Sequence, residues 1–493
     1  MVVRKRNNHI VWGLLLVILV GVGVFFGVQF ITKTGVFRVP GVVKYSDSLV
    51  QEERDLLAGI FTEEIDLDKD VEISADYSFT KPEGINEYIY NIYVPVTDYY
   101  SLDDNISVDS PANVFADAYQ TDVSFEMIPV SELDFKKRLL SLNDSYYLED
   151  LNKGAVYRVI TFNSEKFEDE IKPLVDGKIG VSGLDKSGLL TFAQTGVTAM
   201  ARGMNQKLNQ VGDAKFFAEK IGGFLSGFDL THTSNESSFT ELATPSNICS
   251  DPRFIDTLTA IGLDIVELTG NHNMDCGAVA AESTIDLYKE KGIKVVGGGK
   301  NAEEAAKPLQ INEKGNGITF LAYNQSTGGA THGNAPGANQ YYESNASAEI
   351  QAAKERGDFV IVDVQYYECS AYASEYEDPT CDYANSSAGD QIGFFRHLID
   401  LGADMVVGTS AHQPQTYELY GNGVIYYGLG NLFFDQVWWP GTTRSLVLAH
   451  YFNDGKLLQT RVVPTVYDQS MQTTLMDADA AKQYLTRLIS VRP

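Results

Sequence analysis

The chain has 493 residues, enough for two to four domains with full-sized cores. It carries 66 Asp and Glu against 38 Lys and Arg, a formal net charge of −28, and no basic stripe locally reverses that field. Nucleic acid is thereby argued against as a partner, and the acidity between residues 51 and 170 reads as a solvated surface.

In chain order, VRKRNNH supplies three basic residues ahead of IVWGLLLVILVGVGVFFGVQFI, Ile10 to Ile31, which holds no charge over 22 positions (31 − 10 + 1). As a helix rising about 1.5 Å per residue it would cross a bilayer core of about 30 Å. A cleaved signal peptide would have a shorter apolar region followed by small residues at a cleavage site, and neither is present. The expectation is a single-pass anchor at the cell membrane, residues 1–32 forming a cytoplasmic tip and a transmembrane helix. Everything after Thr32 is then extracytoplasmic.

Residues 33–180 mix helix-like segments (VQEERDLLAGIF, ELDFKKRLLSL) with strand-like ones (EYIYNIYVPVTDYY, AVYRVITF). They read as a smaller, membrane-proximal α+β domain to which no chemistry can be attached. VDGKIGVSG marks a boundary near 180. From there apolar runs alternate with amphipathic ones, giving an α/β domain over 185–470 and a C-terminal extension over 471–493. In such domains polar residues just beyond the C-terminal ends of strands form the site. The rule selects TGVTAMARG (195–203), THTSNESSF (231–239), GNHNMD (270–275) and GTSAHQPQ (408–415).

If these strand ends are neighbours, Glu236, Asn271, His272 and His412 converge on a mixed oxygen and nitrogen pocket suited to Zn, Mn or Fe. Each alone has an ordinary explanation as a cap or a loop hydrogen bond. His332 and His232 are candidate extra ligands, set against a loop position for the first and packing in a strand for the second. His397 reads as a helix-face residue. The four cysteines allow three pairings. Spacing favours Cys369 with Cys381 and leaves Cys249 with Cys276, while a four-cysteine zinc site is the alternative, although no C-x-x-C occurs. Trp438, Trp439 and Pro440 suggest an exposed apolar lip.

DIVELTGNHNMDCG with LYKEKGIKVVGGG, and HLIDLGADMVVGTSAHQPQTYELYGNGVIYYGLGNLFFDQ, resemble the bacterial poly-γ-glutamate capsule synthesis (CapA-type) family over about 185–440. That resemblance implies a calcineurin-like metallophosphatase fold with four αββα layers. It also implies work on a capsular or envelope polymer or its precursor, alongside other capsule-assembly proteins. The family's metal-binding pattern is only partly kept. Val197 stands where its first Asp belongs, and Ser234-Asn235-Glu236 replaces Asn-Leu-Glu. Gly270-Asn271-His272 replaces Asn-Asn-His, with Asp275 matching. Gln365 takes the place of a His, and Gly408-Thr409-Ser410-Ala411-His412 that of Gly-His-His-Pro-His. The replacements are poor ligands, so a two-ion centre is not expected. Two readings remain. In one, a degenerate pocket binds or scaffolds without metal. In the other, a mononuclear hydrolase keeps one Zn, Mn or Fe on Glu236, His272 and His412, with Asn271 assisting and Asn271, His272 and His412 as the catalytic set.

Overall fold

The computed structural model describes residues 41–62, 67–115, 121–180, 183–325, 328–366 and 390–493. The expected anchor at Ile10 to Ile31 and the expected Cys369–Cys381 pairing lie outside them. Among the described residues no helix is long and apolar enough to cross a membrane.

The chain forms two compact units. The smaller takes its described residues from within 1–93, 108–119 and 155–182, the larger from within 94–107, 120–154 and 183–493. In the smaller unit Val71–Ser78 pairs antiparallel with Val156–Asn163, and the helix Gln51–Ile60 packs Leu57 and Ile60 into a core with Ile73, Ile160 and Phe162. Glu53 of that helix receives both Nε and Nη2 of Arg158 at 2.7 and 2.8 Å, a two-pronged pair that leaves neither buried charge uncompensated.

Two large sheets make up most of the larger unit. The first contains β1 (Leu190–Thr198), β2 (Leu230–Asn235), β3 (Ile265–Glu267) and β4 (Lys294–Val296), all parallel. The second contains β5 (Leu309–Glu313), β6 (Asn316–Asn324), β7 (Phe359–Gln365), β8 (Met405–Gly408), β9 (Tyr417–Tyr420) and β10 (Gly423–Tyr426), in spatial order β5-β6-β7-β8-β10-β9. The chain then returns to the first sheet with β11 (Asn431–Phe433), β12 (Arg444–Asn453), β13 (Lys456–Val466) and β14 (Thr474–Leu475), completing the order β4-β3-β2-β1-β12-β13-β14 with β11 also beside β1.

Period-two alternation sorts the strand residues between faces. Leu190 and Phe192 of β1, Leu230 of β2, Ile265 of β3, Ile361 of β7 and Met405 and Val407 of β8 share one core with Phe320 and Tyr426, so the sheets meet face to face. Ala193 and Val266 face the opposite way, onto a core with the helices α1 (Gly203–Val211), α2 (Ile255–Ala260) and α3 (Ala278–Glu290). Val360, Val362 and Val406 pack against α4 (Glu343–Glu355) and α5 (Gln391–Asp400). The result is helix, sheet, sheet, helix. Each fully buried Leu, Phe or Met contributes about 1.5–3 kcal/mol to holding the layers together.

Two segments far from 185–470 in the sequence belong to this unit. Tyr99 enters the inter-sheet core and its hydroxyl lies 3.1 Å from that of Tyr426, and Leu139 N donates to Gln459 Oε1 at 2.7 Å. The 471–493 stretch is likewise structural. Its helix α6 (Ala478–Ser490) places Tyr484, Leu485 and Leu488 in the same core. A boundary signal near 180 cannot reveal excursions of this kind, because each buries only a few apolar side chains.

Candidate functional site

Followed toward the strand ends, the faces turned to the opposite sheet change character in steps of two. Leu190 and Phe192 give way to Gln194 and Gly196, and Leu230 to His232. Ile265 leads to Glu267, Thr269 and Asn271, and Ile361 to Asp363 and Gln365. An apolar core therefore passes into a buried polar layer, and that layer into the mouth of the site.

The polar layer is fully enclosed: Gln194, His232, Glu267 and Asp363 are all 0% exposed. Gln194 Nε2 donates to Asp363 Oδ1 at 2.7 Å, and His232 Nε2 lies 3.0 Å from Asp363 Oδ2 while its ring stacks on Phe320. Glu267 accepts from the backbone N–H and the hydroxyl of Thr269. Burial, reinforced by the Asp363 charge, holds the Glu267 carboxyl above its ordinary pKa. His450 on β12 stacks against Phe192, and its Nδ1 and the Thr460 hydroxyl lie 2.8 Å apart. Burial first, then the charge of His232, pushes its pKa down to about 3, so it is neutral at ordinary pH.

At the mouth, Glu236 follows β2 directly and its N–H donates to Thr198 O at 2.9 Å. The loop after β3 passes hard against it. A Cβ at Gly270 would lie 2.8 Å from Glu236 Cα, so only glycine fits there. Gly430, at φ 72°, similarly lets Val197 N reach its carbonyl at 2.8 Å and sets Asn431 beside β1.

Asn431 fixes His412. Its amide nitrogen donates to Gln436 Oε1 and to Thr442 O, both at 3.0 Å, so its Oδ1 is the acceptor facing His412 Nδ1 at 2.8 Å. Nδ1 of His412 is therefore the donor to Asn431, and Nε2 lies 3.7 Å from Glu236 Oε2. The ring also packs on Phe434, centroids 5.2 Å apart, and the Arg202 guanidinium lies 4.7 Å from the Phe434 centroid. Arg202 in turn pairs with the buried Asp435.

A second group forms around Gln365. Its Nε2 donates to Asn271 Oδ1 and to Ser410 Oγ, each at 3.0 Å. His272 turns aside, its Nδ1 lying 2.8 Å from Asp275 Oδ2 on the same loop. Glu236 and His412 are thus brought together, and Asn271 is joined to the strand ends through Gln365. Among the described residues, Glu236, His272 and His412 are not gathered as a three-ligand group. His332 is exposed, His232 is packed inside the sandwich, and His397 lies on α5 with its Nε2 3.5 Å from Glu343.

The donor set is a poor fit for a two-ion centre. Val197 forms a small apolar cluster with Ala199 and Phe434, Gln365 presents N–H toward the mouth, and the Asn271 oxygen accepts from it. The parts of this arrangement that residue types did not disclose are the Asn431 anchor, the Arg202–Phe434–His412 stack and the polar layer. The layer's strand positions kept the alternating period, but the period alone does not show that two sheets share one face. Cys249 and Cys276 are disulfide-bonded with Cα atoms 6.0 Å apart, tying the loop after β2 to the loop that carries Asn271. Trp438 is 52% exposed and packs edge to face on Trp439.

The chain is similar to several known proteins. A family model for the bacterial capsule synthesis protein PGA_cap matches residues 191–436. The capsule biosynthesis protein CapA of Bacillus anthracis is 23% identical over 314 residues, covering 60% of this chain and 73% of that protein. The PGA biosynthesis protein CapA of Bacillus subtilis is 27% identical over 205 residues, covering 41% of this chain and 50% of its own length. Among solved structures, TT1561 of Thermus thermophilus superposes with a TM-score of 0.30 at 11% identity, covering 54% of this chain and 99% of that one. Residues 191–436, which carry nearly all of β1, then β2, β3, β7, β8 and every strand-end loop of the site, match the bacterial capsule synthesis protein PGA_cap family.

Proposed function

We propose that this chain acts in the synthesis of a capsular or cell-envelope polymer, as a single-pass membrane protein whose larger unit is extracytoplasmic and binds the polymer or its precursor without a two-ion centre. The observation that carries the reading is the double donation by Gln365 Nε2. Where the family has an imidazole to hold a metal, this chain has an amide that ties Asn271 to Ser410 and occupies the Asn271 oxygen. The named relatives support the process, and the Cys249–Cys276 bridge suits an oxidising compartment. Because the chain is acidic, simple attraction cannot capture an anionic polymer, and specific contacts are required. Other capsule-assembly proteins are the natural partners for such a receptor.

A hydrolase reading keeps one observation, the Glu236–His412 approach, with the ring's other nitrogen held by Asn431. A divalent Zn, Mn or Fe ion held there would supply Lewis acidity to a phosphoryl or acyl group. Elemental analysis of the purified full-length chain beside His412→Ala separates the two. The binding reading expects metal far below one ion per chain in both. About one Zn, Mn or Fe per wild-type chain, absent from His412→Ala, would overturn it.

A further inference from the structure

Among the described residues every arginine but three is in an ion pair with a carboxylate. The three are Arg444 at the start of β12, Arg487 in α6 and Arg492 just beyond it. In a chain with 66 acidic side chains that is a local exception. Arg492 is laid over the Tyr100 ring, 4.0 Å from its centroid. Arg444 and Arg487 both line a cleft of about 710 Å³ between α6 and the β12–β13 edge.

The cleft is built as well as charged. Its floor is Tyr484, 2% exposed, with the Arg444 guanidinium 5.0 Å from the ring centroid. Tyr484 Oη and Arg487 Nε are both buried and have no hydrogen-bond partner in the protein, so two polar atoms wait beside the opening. Both guanidiniums are close enough to oppose the upward push that burial gives the Tyr484 hydroxyl. Val466, Met476 and Ala480 line the cleft with apolar surface. The one acid at its edge, Asp477, is occupied as the N-cap of α6, accepting from the N–H groups of Asp479 and Ala480.

Resting on the polymer-binding reading above, we propose that the Arg444–Arg487 cleft is a second contact site for a carboxylate-bearing chain. Two planar guanidiniums receive successive carboxylates, while the apolar wall covers the methylenes between them. The cleft lies outside the family-matched residues, so it is a feature of this chain's C-terminal hairpin and helix rather than of the strand-end mouth.

The test uses the full-length chain in detergent, titrated with poly-γ-glutamate oligomers at low and at physiological salt, with inorganic phosphate and glutarate as competitors. Arg444→Gln and Arg487→Gln are each expected to weaken binding about tenfold, with Arg487→Lys recovering part of it. Arg356→Gln, which removes an arginine already paired with Asp358, is expected to bind as wild type. Thermal melts and Arg487→Lys guard against a folding defect. Wild-type affinity in both Gln variants, or an equal loss in Arg356→Gln, would overturn the site. Displacement by phosphate at least as effective as by glutarate would overturn the carboxylate assignment. Binding that survives both Gln variants but is lost in Gln365→Leu would sink this site alone and leave the strand-end receptor standing. A wild-type chain that binds no oligomer sinks both.

Discussion

Val197 shows at the scale of one side chain what the proposed reading of the mouth rests on. It is 1% exposed and packs with Ala199 and Phe434, so a carboxylate placed there would be buried against apolar surface. Val197→Asp is therefore expected to lower stability by about 3 kcal/mol or more, with no recovery on adding Zn or Mn to the melt. Metal-dependent recovery would reveal a ligand set waiting for its missing member. His450 gives a second residue-level expectation. Its folded pKa, about 3, lies below the ordinary value of 6.5, so the unfolded chain takes up a proton that the native one refuses. Its contribution is complete above pH 6.5 and is lost as pH falls toward 3, at about 1.4 kcal/mol per pH unit. Urea midpoints measured from pH 7 to 4 should fall less steeply in His450→Gln than in wild type, and equal slopes would contradict the assignment.

At the scale of elements, the order of strands and helices was legible because α/β alternation and period two are written in the residue types. Leu190, Phe192 and Gln194 already share a face in the sequence. What cannot be read there is that the faces of β1 and β7 oppose one another, since that depends on contacts between residues far apart in the chain. For this reason Asp363 and His232 give no sign of their meeting, and Asn431 looks like a turn residue rather than the anchor of His412. Glu236 and His412 were expected together from strand-end position, and the structure places them 3.7 Å apart at the ends of β2 and β8. His272 shares that placement but is claimed by Asp275, three residues on, as a local partner often is. The Cys249–Cys276 bridge closes a loop of 27 residues between two site elements. Its removal by Cys249→Ser with Cys276→Ser should cost about 3 kcal/mol, read as a lowered denaturation midpoint. A midpoint unchanged by the double replacement would mean the loops hold their places without it.

For the whole molecule, the larger unit depends on its last helix. Tyr484, Leu485 and Leu488 complete the inter-sheet core, so a chain ending at Asp477 is expected to expose that core and to aggregate or melt well below wild type. A soluble truncated chain with an unchanged melt would show that α6 is an accessory. The anchor reading predicts that the full-length chain stays with membranes through alkaline carbonate washing, whereas a chain beginning at Gly41 is released. Release of the full-length chain would contradict it. If the larger unit is extracytoplasmic, as proposed, the brace of Asn271, Gln365 and Ser410 bears on how the site meets changes in its surroundings. Amides and hydroxyls do not change charge across the acidities a cell surface meets, and they need no trace element to keep their shape. That part of the rim would stay the same when the surroundings turn sour or when scavengers strip the medium of iron and zinc.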